Sequence, residues 1–205
     1  MPLFPTTRTT EHENLLEWID DALVNARSIV HGLDADQLRA RPVASSECTL
    51  GWLLLHIGEV AESWLGRAAG LPGPLDSGLT LPEAFDRAAK VNVVDPAATV
   101  GQILAEYDRR CAAGLAHLRD TDLDAPVPVP AEMPWFPPGM APFNGRWVAL
   151  HVLNEISRHC GHADILREAV DGRTMYDLLA EDQGIDMSYI NDWFAAHPEV
   201  PAPQW

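Results

Sequence analysis

Residues Trp147 to Ala169, WVALHVLNEISRHCGHADILREA, constrain the fold of this chain more than any other stretch. Val148, Val152, Ile156, Ala163 and Leu166 recur at three- and four-residue spacing, the period of one helix face. Gly172 follows as the expected C-cap. A second stripe runs beside the apolar one and carries His151, Glu155, His159 and His162. A solvent-facing stripe has no need of three histidines, and a core stripe does not normally carry a glutamate. Glu155 and His159, four residues apart, project in one direction and can grip one metal ion. A third ligand then has to come from another helix.

His56 supplies it. It lies in TLGWLLLHIGEVAESWLGRAAG, a second helical pattern with Thr49 as N-cap and Gly70 after its last turn. Leu53, Val60 and Trp64 fall on the same side as His56, so the ring faces inward. His56, Glu155 and His159 together make a set of two imidazoles and one carboxylate. His151 and His162 are each one turn from a ligand. They are open to three roles: partners that orient the ligands, rival ligands, or proton shuttles.

The paired helices, LGWLLLHIGEV and EISRHCGHADILREAVDG, resemble the DinB-like superfamily. The resemblance covers roughly residues 8 to 172 by element order. It implies an all-α four-helix bundle whose metal site combines a histidine on the second helix with two ligands four apart on the last. Many members carry His-x-x-x-His followed by x-Gly-Gln. Here Glu155 stands at the first position and His162 replaces the glutamine. The Glu-x-x-x-His version is similar to the metal-binding domain of mycothiol-dependent maleylpyruvate isomerase and related thiol transferases. By motif match, His56, Glu155 and His159 take the ligand roles. The resemblance points to zinc as the metal, with nickel or iron as alternatives, and to mycothiol or a similar small thiol as co-substrate.

The rest of the chain supplies the remaining helices. Thr10 and Glu13 form a capping box for a first helix over 10–31, which buries Leu15, Leu16, Ile19, Leu23, Ala26 and Val30. Gly32 is its expected C-cap. His12 and His31 fall at its ends, as surface residues. Asp34 marks one short turn of helix. Thr80 and Glu83 cap a short helix to Lys90, and Thr99 and Gln102 open a long one to Leu118. Ile103, Leu104, Tyr107, Cys111, Leu115 and Leu118 are its expected buried side, with His117 exposed. Four amphipathic periods predict an up-and-down bundle without a substantial sheet.

Residues 120–145 carry seven prolines, which excludes a regular helix there. With Met133, Trp135, Phe136 and Phe143, the segment reads either as an ordered loop over the bundle mouth or as a hydrophobic strap across its end. Residues 1–172 are expected to form the bundle and 173–205 an extension. Within the extension a short helix is expected over 188–196. Trp193 and Trp205 point to docking on the bundle or on a second subunit, a homodimer.

Composition narrows the function. The net charge of −16 repels phosphates and argues against nucleic acid as a partner, and equally against anionic membranes. A highly anionic substrate would need arginines lining its site. No apolar run reaches transmembrane length, and MPLFPTTRTTEHEN lacks the basic and apolar regions of a secretion signal, so a cytoplasmic location is expected. Cys48, Cys111 and Cys160 are odd in number and widely spaced, which implies no disulfide framework. Cys160 adjoins His159 but points about 100° away around the helix, so packing is its expected role.

Two neutral imidazoles and a carboxylate leave a divalent ion positive, with an open position. A thiol held there becomes a thiolate and can attack an electrophilic carbon, giving S-transfer or isomerisation of a small electrophile. Tyr107 and Arg158 are candidate polar contacts. The same donor set also suits a hydrolase, a non-haem iron oxygenase, or a non-catalytic metal-binding stress-response module.

Overall fold

The computed structural model describes residues 4–5, 10–130 and 133–201. Four long helices build the bundle: α1 (Glu11–Ser28), α3 (Leu50–Ala68), α5 (Val100–Arg119) and α6 (Gly145–Asp171). Between them lie α2 (Ala35–Arg39), α4 (Leu81–Lys90) and a two-stranded ribbon of β1 (Pro126–Val127) and β2 (Phe143–Asn144). Two short helices follow, α7 (Met175–Gln183) and α8 (Ser188–Ala196). Among the described residues the ribbon is the only sheet, so the fold is all-α.

The starts of the helices are set by local hydrogen bonds that the sequence announces. Thr10 and Glu13, Asp34 and Gln37, and Thr99 and Gln102 each close a reciprocal capping box. Thr49 caps α3 by accepting from the Trp52 amide at 3.1 Å, and Asn144 caps α6 by accepting from the Trp147 amide at 2.8 Å. Gly172, at φ 77°, ends α6 in the left-handed conformation that glycine adopts without strain.

The centre of the bundle is α3, which packs against both α5 and α6, while α1 closes the other side against α5 and α6. Leu50, Leu53, Ile57, Ala61 and Leu65 on α3 are all nearly inaccessible. Gly114 of α5 lets the two backbones touch: a Cβ there would lie 2.7 Å from the Ala61 carbonyl oxygen. The direction of packing corrects the up-and-down expectation. Gly58, Ala61 and Gly66 of α3 meet Tyr107 and Arg110, then Gly114, then His117 of α5, so α3 and α5 run parallel. His56 and Trp64 of α3 meet His159 and Trp147 of α6, so those two run antiparallel. In α1, Glu11 meets Arg146 and Ile29 meets Arg167, so α1 and α6 are parallel. The order is therefore up, down, down, up. The connection over 69–99, which includes α4, is long enough to return the chain to the start of α3 before α5 begins.

Several boundaries differ from the periodic pattern. α1 stops at Ser28 rather than His31, because Val30 and His31 turn back to the Arg27 and Ser28 carbonyls before Gly32 reverses the chain. The buried side of α5 includes Arg110 and Gly114, whereas Leu104 and Leu115 are only partly buried. His117 is half-buried rather than exposed, because its ring lies beside Gly66 of α3. α7 has no counterpart in the expected elements, and it seats Leu178 and Leu179 in the protein. α8 falls on the expected residues but buries none of them. Trp193 is half exposed and stacks on His197, just past the end of α8, at 4.2 Å. Trp205 lies outside the described residues.

The proline-rich segment is tied to the bundle by aromatic packing. Phe143 stacks on Trp147 at 3.8 Å, and Phe136 and Phe143 both meet Trp64 of α3. Gly145, the first residue of α6, sits where a Cβ would lie 2.6 Å from the Asp122 carbonyl oxygen. The segment thus straps the bundle end, while Trp135 stays two-thirds exposed at its tip.

Candidate metal centre

The antiparallel contact of α3 and α6 brings His56 against Glu155 and His159. One donor atom from each of the three lies within 4.8 Å of the others, and among the described residues no other such group of histidine, cysteine, aspartate and glutamate occurs. Glu155 Oε2 is 3.3 Å from His159 Nε2 across one helical turn. Both side chains are largely shielded, at 27% and 17% exposure.

The His56 ring is held by residues outside the group. The His56 imidazole stacks on Trp52, one turn earlier on α3, at 4.9 Å, and meets His159 edge-on at 4.8 Å. Its Nδ1 accepts from Asn92 Nδ2 at 3.3 Å. Asn92 is itself oriented by Arg110, whose Nη1 donates to Asn92 Oδ1 at 2.9 Å and to the Leu55 carbonyl at 2.8 Å. Because a guanidinium only donates, this contact fixes which end of the Asn92 amide faces the ring. Arg110 also donates to the Val91 carbonyl and pairs with Glu106.

The electrostatics suit cation binding. Burial, and then the neighbouring His159, hold His56 down at about 4, against the opposing pull of Glu155. Burial also lowers His159, again against Glu155. Both rings are therefore neutral near pH 7, the form that coordinates a metal. His159 Nδ1 is buried without a hydrogen-bond partner. A tetrahedral ion with bonds of about 2.1 Å would place its ligands about 3.4 Å apart, so small side-chain movements bring this set to that spacing. The donor set and the neutral buried rings fit a divalent cation.

The other sequence candidates lie elsewhere. His151 is outside the group, stacked on Trp147 at 5.0 Å and edge-on to Trp64 at 4.7 Å. His162 is exposed, with its ring 5.7 Å from that of His159. Tyr107 is fully buried and donates to the Leu23 carbonyl at 2.7 Å, so its hydroxyl is committed to α1. Arg158 is exposed. Burial pushes the Cys160 and Cys111 thiols up to about 12, which leaves both inert.

Three neighbours of the centre are absent from the sequence expectations: Trp52, Asn92 and Arg110. Trp52 was detectable, since it stands four residues before His56. Arg110 fits the buried spacing of α5, but an arginine there reads as solvated. Asn92 lies in the turn after α4 and carries no periodic signal.

No helix among the described residues is long and apolar enough to cross a membrane. A search of curated proteins finds no match. A protein-family model described as mycothiol-S-transferase matches residues 14–172, which span all four long helices but for the first three residues of α1 and include all three candidate ligands. That match, over an all-helical bundle of the expected DinB-like kind, shows that the chain belongs to the mycothiol-S-transferase family.

Proposed function

We propose that this protein is a metal-dependent enzyme that transfers a small thiol, mycothiol or a close analogue, to an electrophilic carbon. In this reading His56, Glu155 and His159 hold one divalent ion, zinc before nickel or iron. The observation that carries the reading is the convergence of these three donors, from two helices, in a chain of a thiol-transferase family.

A cation bound there supplies charge that stabilises a thiolate at neutral pH. The residues of the chain do the rest. Trp52 stacks on His56 and fixes the plane of its ring. Glu155 neutralises one unit of the ion's charge and keeps the remainder positive. In the transfer, the sulfur lone pair forms the new carbon–sulfur bond while the electrophile's leaving group departs with its bonding pair. The proton released by the thiol passes to solvent. Cys111 and Cys160 are not candidates for the nucleophile, because burial keeps both protonated.

Metal analysis of four variants tests the ligand set. His56→Ala, His159→Ala and Glu155→Gln should each lose most of the metal, and His151→Ala should keep it. Glu155→Gln is the sharpest probe, because it nearly preserves shape while removing charge. A thiol-consumption assay on the same set should follow metal content. If all four variants hold the parent's metal, or His151→Ala alone empties the site, the ligand set is wrong.

A further inference from the structure

The hydrogen bond between Asn92 and His56 has a direction, and the direction decides which ring nitrogen is free for a cation. A neutral imidazole carries one proton, on Nδ1 or on Nε2, and only the bare nitrogen accepts a hydrogen bond or binds a metal. Asn92 Nδ2 lies 3.3 Å from His56 Nδ1. An amide NH2 only donates, so Nδ1 is the bare atom and the proton of the ring sits on Nε2. Nε2, the nitrogen that Asn92 leaves open, therefore presents a hydrogen in place of a lone pair.

A metal-bound histidine has the reverse arrangement, in which the second nitrogen donates its N–H to a carboxylate, a carbonyl or water. For His56 to lend Nε2, its proton has to move to Nδ1, where it meets the NH2 of Asn92, donor against donor. Turning the Asn92 amide over would bring Oδ1 to the ring and remove the conflict. The fold opposes that turn. Asn92 is only 5% exposed, and its Oδ1 accepts from Arg110 Nη1 at 2.9 Å. A turned amide would set its NH2 against a guanidinium, which has no acceptor to offer. Arg110 is itself held on every side. Its Nη1 also donates to the Leu55 carbonyl at 2.8 Å, its Nη2 to the Val91 carbonyl at 2.9 Å and its Nε to Glu106 at 2.7 Å. Its stem packs on α3 at Gly58, where a Cβ would lie 3.2 Å from Arg110 Cβ. Coordination through Nδ1 instead would require Asn92 to leave that atom altogether. Through either nitrogen, taking up an ion breaks the contact of Asn92 with His56.

We propose that Asn92, locked by Arg110, is a positioning residue that holds His56 in the tautomer protonated on Nε2, and that it thereby lowers the affinity of the centre for a divalent ion. The effect on affinity rests on the reading of His56, Glu155 and His159 as ligands; the tautomer rests on the contacts of Asn92 alone.

Two measurements on the full chain test this. Two-bond proton–nitrogen correlation spectra of metal-free protein, isotopically labelled at its histidine nitrogens, read which atom of each ring carries the proton, with His56→Gln identifying the signals of His56. The metal-free parent should carry it on Nε2, and zinc should move it to Nδ1. Competition with a chromogenic chelator gives the affinity for zinc. Asn92→Ala removes the opposing N–H, and Asn92→Asp offers only acceptors to the Nδ1 proton and to Arg110. Each should bind zinc about tenfold more tightly than the parent, the scale on which partners of metal ligands act. A residue that merely propped the ring would do the opposite, and its loss to alanine would weaken zinc binding by a similar factor. Asn92→Asp also adds a negative charge, so Asn92→Ala is the deciding variant. A thermal melt verifies that it folds; if it does not, the tautomer of the metal-free parent decides. A metal-free parent with the proton on Nδ1 overturns the proposal, as does an Asn92→Ala protein that binds zinc no more tightly than a zinc-binding parent. Both results leave the ligand set standing. A parent that takes up no zinc, yet carries the proton on Nε2, does the reverse: the tautomer stands, and the metal reading falls together with the effect on affinity.

Discussion

Gly114→Ala tests the contact that sets α3, and with it His56, in place. The new methyl carbon would lie 2.7 Å from the Ala61 carbonyl oxygen and 2.8 Å from its carbonyl carbon. An ordinary carbon–oxygen contact is about 3.3 Å, so α3 and α5 must separate by about 0.6 Å. Neither partner can step aside by changing rotamer, because both colliding atoms of Ala61 are helical backbone. Overpacking of this kind costs about 1–3 kcal/mol. Alanine returns about 1 kcal/mol through its better helix propensity. The net loss should be about 0–2 kcal/mol, a fall in Tm of up to about 8 °C for a domain of this size. Gly161→Ala is the internal control. It sits in the exposed middle of α6, with nothing within 4 Å of a built Cβ. It should gain about 0.5–1 kcal/mol and raise Tm by about 1–4 °C. Thermal melts of the two variants and the parent, followed by circular dichroism, decide the matter. If Gly114→Ala raises Tm as Gly161→Ala does, then α3 and α5 do not touch at this point, and the packing that positions His56 is wrong.

Asp164 offers a pH test. Burial first, and Glu168 second, raise its carboxyl from 3.8 to about 6, and its Oδ1 is buried without a partner. The folded chain therefore holds this proton more tightly than the unfolded chain does, and the contribution to stability is lost as pH rises from about 4 to 6. Asp164→Asn should stabilise the protein by about 1–2 kcal/mol at pH 7, after allowance for its partial exposure, and leave it unchanged at pH 4; equal denaturation midpoints at pH 7 would refute this. The cysteines give a second test. With Cys111 and Cys160 held at about 12, an aromatic disulfide reagent at pH 8 should titrate no more than Cys48 in the native chain, and all three thiols once it is unfolded. More than one fast equivalent in the native state would show that these thiols are not shielded as described.

The helices themselves were legible because their determinants are local. A capping box such as Thr10 with Glu13, or an apolar residue at every third or fourth position of α6, acts over one turn and needs no knowledge of the rest of the chain. The pairing of Glu155 with His159 is of the same kind, since four residues on a helix return a side chain to one face. His56 could be nominated by its inward face, but its meeting with that pair depends on two helices coming together. α7 escaped notice because its apolar residues, Met175, Leu178 and Leu179, span little more than one turn, too short a run to read as a stripe.

The residues read one element at a time thus yield an all-helical bundle and a short list of candidate ligands. Both follow from backbone periodicity and side-chain chemistry within single elements. Assembly of the fold sets α3 parallel to α5, lets Arg110 orient Asn92 toward His56, and leaves a cavity between α3, α4 and α5. These depend on contacts between residues far apart in the chain. Such contacts are chosen by packing, by close approaches such as Gly114 on Ala61, and by the demand that a buried guanidinium find acceptors wherever the fold provides them.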